Sequence, residues 1–415
     1  MQFKYKKWLA LGMLAVAMAV AGCAAKEETP GRDDSVQVTS VRQIVASDNK
    51  TARTIMWQSD LAQDYSVEYR KAGSSDVQQV NGENISFQDG KGNYITYRAA
   101  LSGLEAGTAY EYRVNTAKNK GTWHKLNTDG GSGFTALIFP DSQSSDYSGW
   151  QKLARDAYDR NKDAALFVNM GDLVDNGEHD YQWNSWLRSV STFSPDVPLA
   201  PVIGNHETYT LDWKMRMPEA YLHLFTTPDN GLEKYKGQFY SFDYGDVHFT
   251  VLDTNFSEME NFEPQLMADE KAWLEQDLAN SKAKWKIILQ HRDIMLYAFT
   301  DRPGVEHFID VGTELMPIFE KYNVDAVLTA HLHTYRRRVP LRNFAPDPNG
   351  IPYILTGVAG DVRYAHIWQK SKLDAKGAPQ PETANYMTLH ADNAQLVFKA
   401  FLPDGTQFDE YTITK

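Results

Sequence analysis

The chain has 415 residues, 42% of them hydrophobic and 12% aromatic. That length allows two or three domains at about 100–200 residues each, and the composition excludes a chain too polar to build a core. The formal net charge of −12 excludes the broad basic footprint that general nucleic-acid binding requires. No nucleic-acid partner is therefore expected, although one small anion at a locally positive site remains compatible with this charge.

The first element reads as an export signal. Lys4, Lys6 and Lys7 precede an apolar run to Val20 and then small residues, the charged, apolar, small order of a secretory segment. Val20-Ala21-Gly22-Cys23 resembles a bacterial lipobox, in which the cysteine is lipidated and becomes the new N-terminus. Residues 1–23 are thus expected to be a lipoprotein signal peptide, with lipidation at Cys23 holding the protein in the bacterial cell envelope, on its periplasmic or cell-surface side. A plain signal-anchor helix is the alternative. Cys23 is the only cysteine, so no disulfide is expected despite export. No later stretch approaches the roughly 20 apolar residues of a spanning helix. Residues 24–34, AAKEETPGRDD, read as a polar tether.

From 35 to 130 the chain alternates in short strand-like runs, TARTIMWQS, YSVEYRK, YITYRAAL and TAYEYRVNTA, separated by glycine and asparagine turns. This predicts an all-β sandwich. The stretch LSGLEAGTAYEYRV resembles the end of a fibronectin type III-like module, usually a passive spacer or lid.

After DGGSG (129–133), over residues 131–415, apolar runs alternate with helical patterns: FTALIFP, GWQKLARDAYDRNK, AALFVNM, QWNSWLRSV, PLAPVI, EKAWLEQDLANSK, WKIILQ and VDAVLT. Strands alternating with helices predict an α/β domain. FYSFDYGDVHFTVLDT reads as a hairpin, so mixed sheets flanked by helices are expected.

Five of the apolar strands run into metal-ligand chemistry. They end in Asp141-Ser142-Gln143, Gly171-Asp172 with Asp175 beyond, Gly204-Asn205-His206-Glu207, His291-Arg292-Asp293, and Ala330-His331-Leu332-His333. Open α/β sheets place ligands at such strand ends. Alternate residues along a strand point to the same face, so the i, i+2 spacing at this strand end is expected to let His331 and His333 converge on one point. Oxygen and nitrogen donors without thiolate suit Zn, Mn, Fe or Ni. The set is too large for one ion and suits two, about 3.5–4 Å apart.

The order of these motifs resembles the calcineurin-like metallophosphoesterases. FYSFDYGDVHFTVLDT, EKAWLEQDLANSKAKWKIILQHRD and AHLHTYRR resemble the purple acid phosphatase branch, which carries an N-terminal fibronectin-like domain. The resemblance implies two divalent metal ions: Asp141, Asp172 and His333 on the first, and Asp172 as bridge with Asn205, His291 and His331 on the second. It implies His206 as a catalytic hydrogen-bond donor or general acid, and Arg337 as structural. A phosphomonoesterase acting through a metal-bound hydroxide on a small phosphorylated substrate is expected. The alternatives are a phosphodiesterase or nucleotidase on extracellular nucleotides, or a surface binding module with a degenerate phosphatase domain.

Two positions depart from the family. Gln143 stands where relatives have His or Gly, and is expected to offer the first metal a neutral carbonyl oxygen. Asp175 stands where purple phosphatases have their colour-giving tyrosine, and is expected to act on that site directly or through a water. Ala330 replaces a frequent Gly. His179 and His307 are expected on surface loops, Trp183 and Trp186 in the core, His248 in a structural role, and Arg336-Arg337-Arg338 on a solvated face.

Overall fold

The computed structural model describes residues 37–131, 133–300, 304–364 and 367–415. The signal segment, Cys23 and the tether lie outside the described residues.

Two sheets face each other in the C-terminal part of the chain. In the first, the strands Phe134–Phe139, Leu166–Asn169 and Leu199–Pro201 run parallel, and Tyr386–Ala391, Gln395–Phe401 and Gln407–Thr414 extend it antiparallel. In the second, Val247–Leu252, Trp285–Gln290, Ala326–Thr329 and Tyr353–Thr356 are parallel, with Tyr240–Tyr244 closing one side as a hairpin strand. Every residue of the strands Leu166–Asn169, Val247–Leu252 and Ala326–Thr329 is buried. That is why these runs read as continuously apolar, the mark of parallel strands covered on both faces.

Alternate side chains on each strand enter different cores. Ile138, Leu166 and Val168 meet Phe249, Val251, Leu289 and Leu328 between the sheets. On the outer face of the first sheet, Leu137, Phe139 and Phe167 pack against Trp150, Trp183 and Trp186 of the helices Ser148–Arg160 and Asp180–Val190. On the outer face of the second, Ile288 and Val327 pack against Leu274, Leu315 and Phe319 of the helices Leu266–Asn280 and Asp310–Lys321. The result is a helix–sheet–sheet–helix sandwich with mixed sheets.

The N-terminal part is all-β. Tyr65–Lys71, Gln78–Asn81, Ala109–Thr116 and His124–Asn127 form a four-stranded sheet. It covers Val38–Ile44, Arg53–Ser59 and Thr96–Leu101 across a core containing Trp57, Tyr97 and Tyr112. Those three strands also continue the first sheet of the C-terminal part, because Ile44 pairs in parallel with Leu199. One ten-stranded sheet thereby runs through both parts. Among the described residues, no helix is long and apolar enough to cross a membrane.

The arginine run is not a solvated face. Arg336 and Arg338 are buried, and the three side chains pair with Asp374, Asp409 and Asp293 respectively. Buried guanidinium groups require such partners. The partners lie 38, 72 and 45 residues away in sequence.

Candidate metal centre

The C-terminal ends of the parallel strands converge, and each hands a short turn into the space between the sheets. Asp141 follows Phe139 by two residues, and its backbone bridges to Val358. Gly171 takes φ +96, and a Cβ there would stand 2.5 Å from His291 Nδ1. At Gly204 a Cβ would stand 2.2 Å from Asp172 Oδ1. Glycine is required at both positions because the ligand side chains occupy the space a larger residue would need.

Three residues here have left-handed backbones: Asp172 at φ 49, His331 at φ 75 and His333 at φ 50. Such conformations in non-glycine residues concentrate where function over-determines geometry. They also correct the expectation of strand alternation. The strand ends at Thr329, and the turn, not a two-residue period, aims the two imidazoles.

Two groups of side chains have ligand atoms within 4.8 Å of one another: Asp141, Asp172 and His333, and Asp172, His291 and His331. Asp172 belongs to both. Its Oδ1 accepts the backbone N–H of His206 at 2.9 Å, while its buried Oδ2 has no aligned hydrogen-bond donor. His291 donates from Nδ1 to the Met170 carbonyl at 2.9 Å, which turns Nε2 inward, 3.2 Å from Asp172 Oδ2 and 3.1 Å from Asn205 Oδ1. Acceptor atoms thus crowd one point. His333 is fixed in the same way, its Nδ1 donating to the Val362 carbonyl at 3.0 Å and its Nε2 lying 3.6 Å from Asp141 Oδ1. Backbone bonds of this kind orient metal-binding imidazoles. His331 Nδ1 and Gln143 Oε1 are also buried without hydrogen-bond partners among the described residues.

The electrostatics call for positive charge. Burial would lower the His291 imidazole, but Asp172 outweighs it and raises His291 to about 9. Burial pushes Asp141 up to about 8 against the opposing charge of His291. Asp172 is held below the usual carboxylate range, since the charges of His291 and His206 overcome its burial. Burial lowers His333 to about 4 and His331 well below its ordinary value, so both imidazoles stand neutral, as metal ligands must. Orphaned acceptors, two buried carboxylates and neutral imidazoles fit divalent cations.

His206 lies beside these groups rather than within them. Its Nδ1 donates to the Asp175 carbonyl at 2.7 Å, and its Nε2 is 3.9 Å from Asp172 Oδ2. Gln143 turns its amide nitrogen to His206 Nε2 at 3.3 Å, leaving its carbonyl oxygen without a donor. Asp175 is placed against His206 as well, Oδ1 lying 3.4 Å from Nδ1, and belongs to neither ligand group.

Several residues gained no role from the sequence. Glu207 is buried and accepts the backbone N–H groups of Asp172, Leu173, Val174 and Gly204 at 2.7–3.3 Å. It thereby ties two ligand-bearing turns together. Burial pushes its carboxyl up to about 7, and the amide donors pull the other way. Its only sequence signal was a buried-looking acid at the end of a motif. Arg292 Nη1 lies 3.4 Å from His331 Nε2. The ring of Tyr364 packs on His333 at 4.7 Å, and nothing in its local sequence marks it. His179 is half-buried and His307 is exposed, and Trp183 and Trp186 are fully buried.

The calcineurin-like phosphoesterase family matches residues 134–335, and the purple acid phosphatase N-terminal domain matches residues 38–128. The chain carries a calcineurin-like metallophosphoesterase domain and a purple acid phosphatase N-terminal domain. Purple acid phosphatase 18 of Arabidopsis thaliana is 23% identical to this metallophosphoesterase over 378 residues, covering 86% of this chain and 82% of that protein. Purple acid phosphatase 21 of the same plant is 26% identical over 206 residues, covering 49% of this chain and 45% of that protein. The fold is also that of a solved purple acid phosphatase from yellow lupin (Lupinus luteus) seeds, with a TM-score of 0.73 at 17% identity over 91% of this chain and 74% of that one.

Proposed function

We propose that this metallophosphoesterase hydrolyses phosphomonoesters at a two-metal centre and works outside the cytoplasm on a lipid anchor. The observation that carries the first part is Asp172, the carboxylate common to both ligand groups. Asp141, Gln143, Asp172 and His333 would hold one ion, and Asp172, Asn205, His291 and His331 the other. Two divalent ions bring about +4 against about −2 from Asp141 and Asp172, and when bound they polarise the phosphoryl oxygens and acidify the attacking water.

The chain's own residues do the rest. Asp172 would serve both halves, and Glu207 holds the turns of Asp172 and Asn205 in register. His206 has its Nδ1–H engaged by the Asp175 carbonyl, so as an imidazolium it would present its second proton, on Nε2, to the departing alkoxide.

The test is phosphate release from a phosphomonoester panel by purified protein of measured metal content. Chelation should abolish activity, and Asp172→Asn should lower turnover by several orders of magnitude with loss of metal. Near-normal turnover by Asp172→Asn would end the two-metal reading. The anchor rests on Val20-Ala21-Gly22-Cys23. Cys23→Ser should abolish partition into detergent phase, and a wild type that stays in the aqueous phase would rule out lipidation.

A further inference from the structure

The hairpin after His206 carries a largely exposed aromatic side chain at its tip. Tyr209 and Met215 bridge in antiparallel fashion. Thr210 N–H donates to the Lys214 carbonyl at 2.8 Å, and Trp213 N–H donates to the Thr210 carbonyl at 3.0 Å. The tip is tied down from the neighbouring loop as well. Asn176 Nδ2 donates to the Thr210 carbonyl at 3.0 Å, and Leu211 N–H donates to Glu178 Oε2 at 2.9 Å.

At this fixed tip, Trp213 sits at φ +59 with 57% of its surface exposed. A bulky residue with a left-handed backbone is strained, and exposure denies it the burial that would offset the strain. Glycine or asparagine would suit the turn better. The indole stands 5.7 Å from the His206 ring at 90°, and 5.9 Å from Tyr209. Leu211 and Met215 of the same hairpin are 45% and 44% exposed. Asp212 and Lys214 flank Trp213 and are exposed as well, so the tip offers an aromatic face with charged neighbours, and a π-face held open at fixed orientation is suited to stacking.

We propose that Trp213 is a specificity-determining residue, a stacking shelf for a planar aromatic leaving group on the phosphate ester. This rests on the phosphomonoesterase reading of His206. In the reaction, the water oxygen bonds to phosphorus as the water loses a proton to solvent, the bond from phosphorus to the leaving oxygen breaks, and a protonated His206 gives its Nε2 proton to that oxygen while Nδ1–H stays on the Asp175 carbonyl. The aromatic group departs as its alcohol from the face of Trp213. An aryl ring and a nucleobase share the required planarity, whereas a polyol leaving group has no flat face to lay on the indole.

The experiment compares kcat/KM for phenyl phosphate and adenosine 5′-monophosphate with that for glycerol 3-phosphate, using the full chain loaded with Mn²⁺. The planar-to-polyol ratio should fall about three- to tenfold in Trp213→Ala, through KM, and return in Trp213→Phe. A fall for phenyl phosphate alone identifies an aryl group as the occupant, and a fall for the nucleotide alone identifies a nucleobase. Trp213→Gly suits the backbone, so it should raise Tm while losing the preference; this covers failure of the alanine variant to fold. Binding of phenylphosphonate against methylphosphonate, followed by tryptophan fluorescence, reads the shelf without turnover. A wild type that hydrolyses no ester yet binds phenylphosphonate more tightly through Trp213 would sink the phosphatase reading and keep the shelf. An unchanged planar-to-polyol ratio together with equal phosphonate affinities would overturn the shelf.

Discussion

Glu207 accepts the backbone N–H of Asp172 at 3.0 Å from 35 residues away, and that of Gly204 with the same carboxylate oxygen at 2.7 Å. The contact sets the turn that carries Asp172 against the turn that carries Asn205 and His206. A buried carboxylate facing four amide donors has no neutral substitute, because Gln would aim an NH₂ group at some of them. Leaving buried donors unmade costs about 1–3 kcal/mol each. Glu207→Gln should therefore destabilise the fold on the order of 3 kcal/mol by urea unfolding. Metal affinity in titration calorimetry should fall about 10–100-fold. A folded Glu207→Gln with undiminished affinity would show that the turns keep their places without it.

His206 predicts a different signature. Losing a general acid costs about 10²–10⁴-fold, and the loss should shrink for esters whose leaving group is acidic enough to depart unprotonated. His206→Ala should thus lower turnover of alkyl phosphates far more than that of 4-nitrophenyl phosphate, with metal content unchanged, because in the proposed centre Asn205, and not His206, would be that turn's ligand. Equal losses on both esters, or missing metal, would remove His206 from the leaving group.

The strand ends were legible because each apolar run stops abruptly at a polar side chain, a local pattern that needs no partner to be seen. Asp141, Asp172, Asn205, His206, His291, His331 and His333 all stand on such stops, and the structure brings them together. What escaped depended on distance along the chain. Arg336 and Arg338 look like surface charge until Asp374 and Asp293 arrive from other elements. Tyr364 reaches His333 only through the loop after the Tyr353–Thr356 strand. Convergence of the two histidines was expected from strand alternation but comes from left-handed turns, which a residue pattern does not encode. Nor does the pattern show one sheet crossing both parts through Ile44 and Leu199.

Gln143 has a buried carbonyl oxygen without a donor among the described residues, and gives its amide to His206. An amide oxygen is a weaker donor than imidazole toward borderline ions. Gln143→His should tighten the weaker of two Mn²⁺ or Zn²⁺ binding steps in calorimetry while activity persists. Weaker binding in Gln143→His would mean that residue 143 serves His206 and not an ion.

The last prediction concerns pH and lies away from the metal centre. His248, in the Val247–Leu252 strand, is buried between Asp243 Oδ1 at 2.7 Å and Asp277 Oδ2 at 2.9 Å. Asp277 is itself fixed by the hydroxyls of Ser241 and Thr250. Burial alone would lower this imidazole, but the hydrogen bonds to Asp243 and Asp277 outweigh it and raise His248 to about 9. An unfolded histidine titrates near 6.5. Since the folded value is the higher one, the stabilisation is fully present below about pH 6.5 and is lost as pH rises through about 9. The shift sets a ceiling of about 3 kcal/mol, and solvent around Asp243, 59% exposed, brings the true figure below it. His248→Gln should therefore be less stable than the wild type at pH 6, with the gap closing by about pH 9.5. Urea unfolding of both proteins at the two pH values measures this directly. A gap of the same size at pH 6 and pH 9.5 would mean that His248 stabilises the sheet by packing and not by its charge.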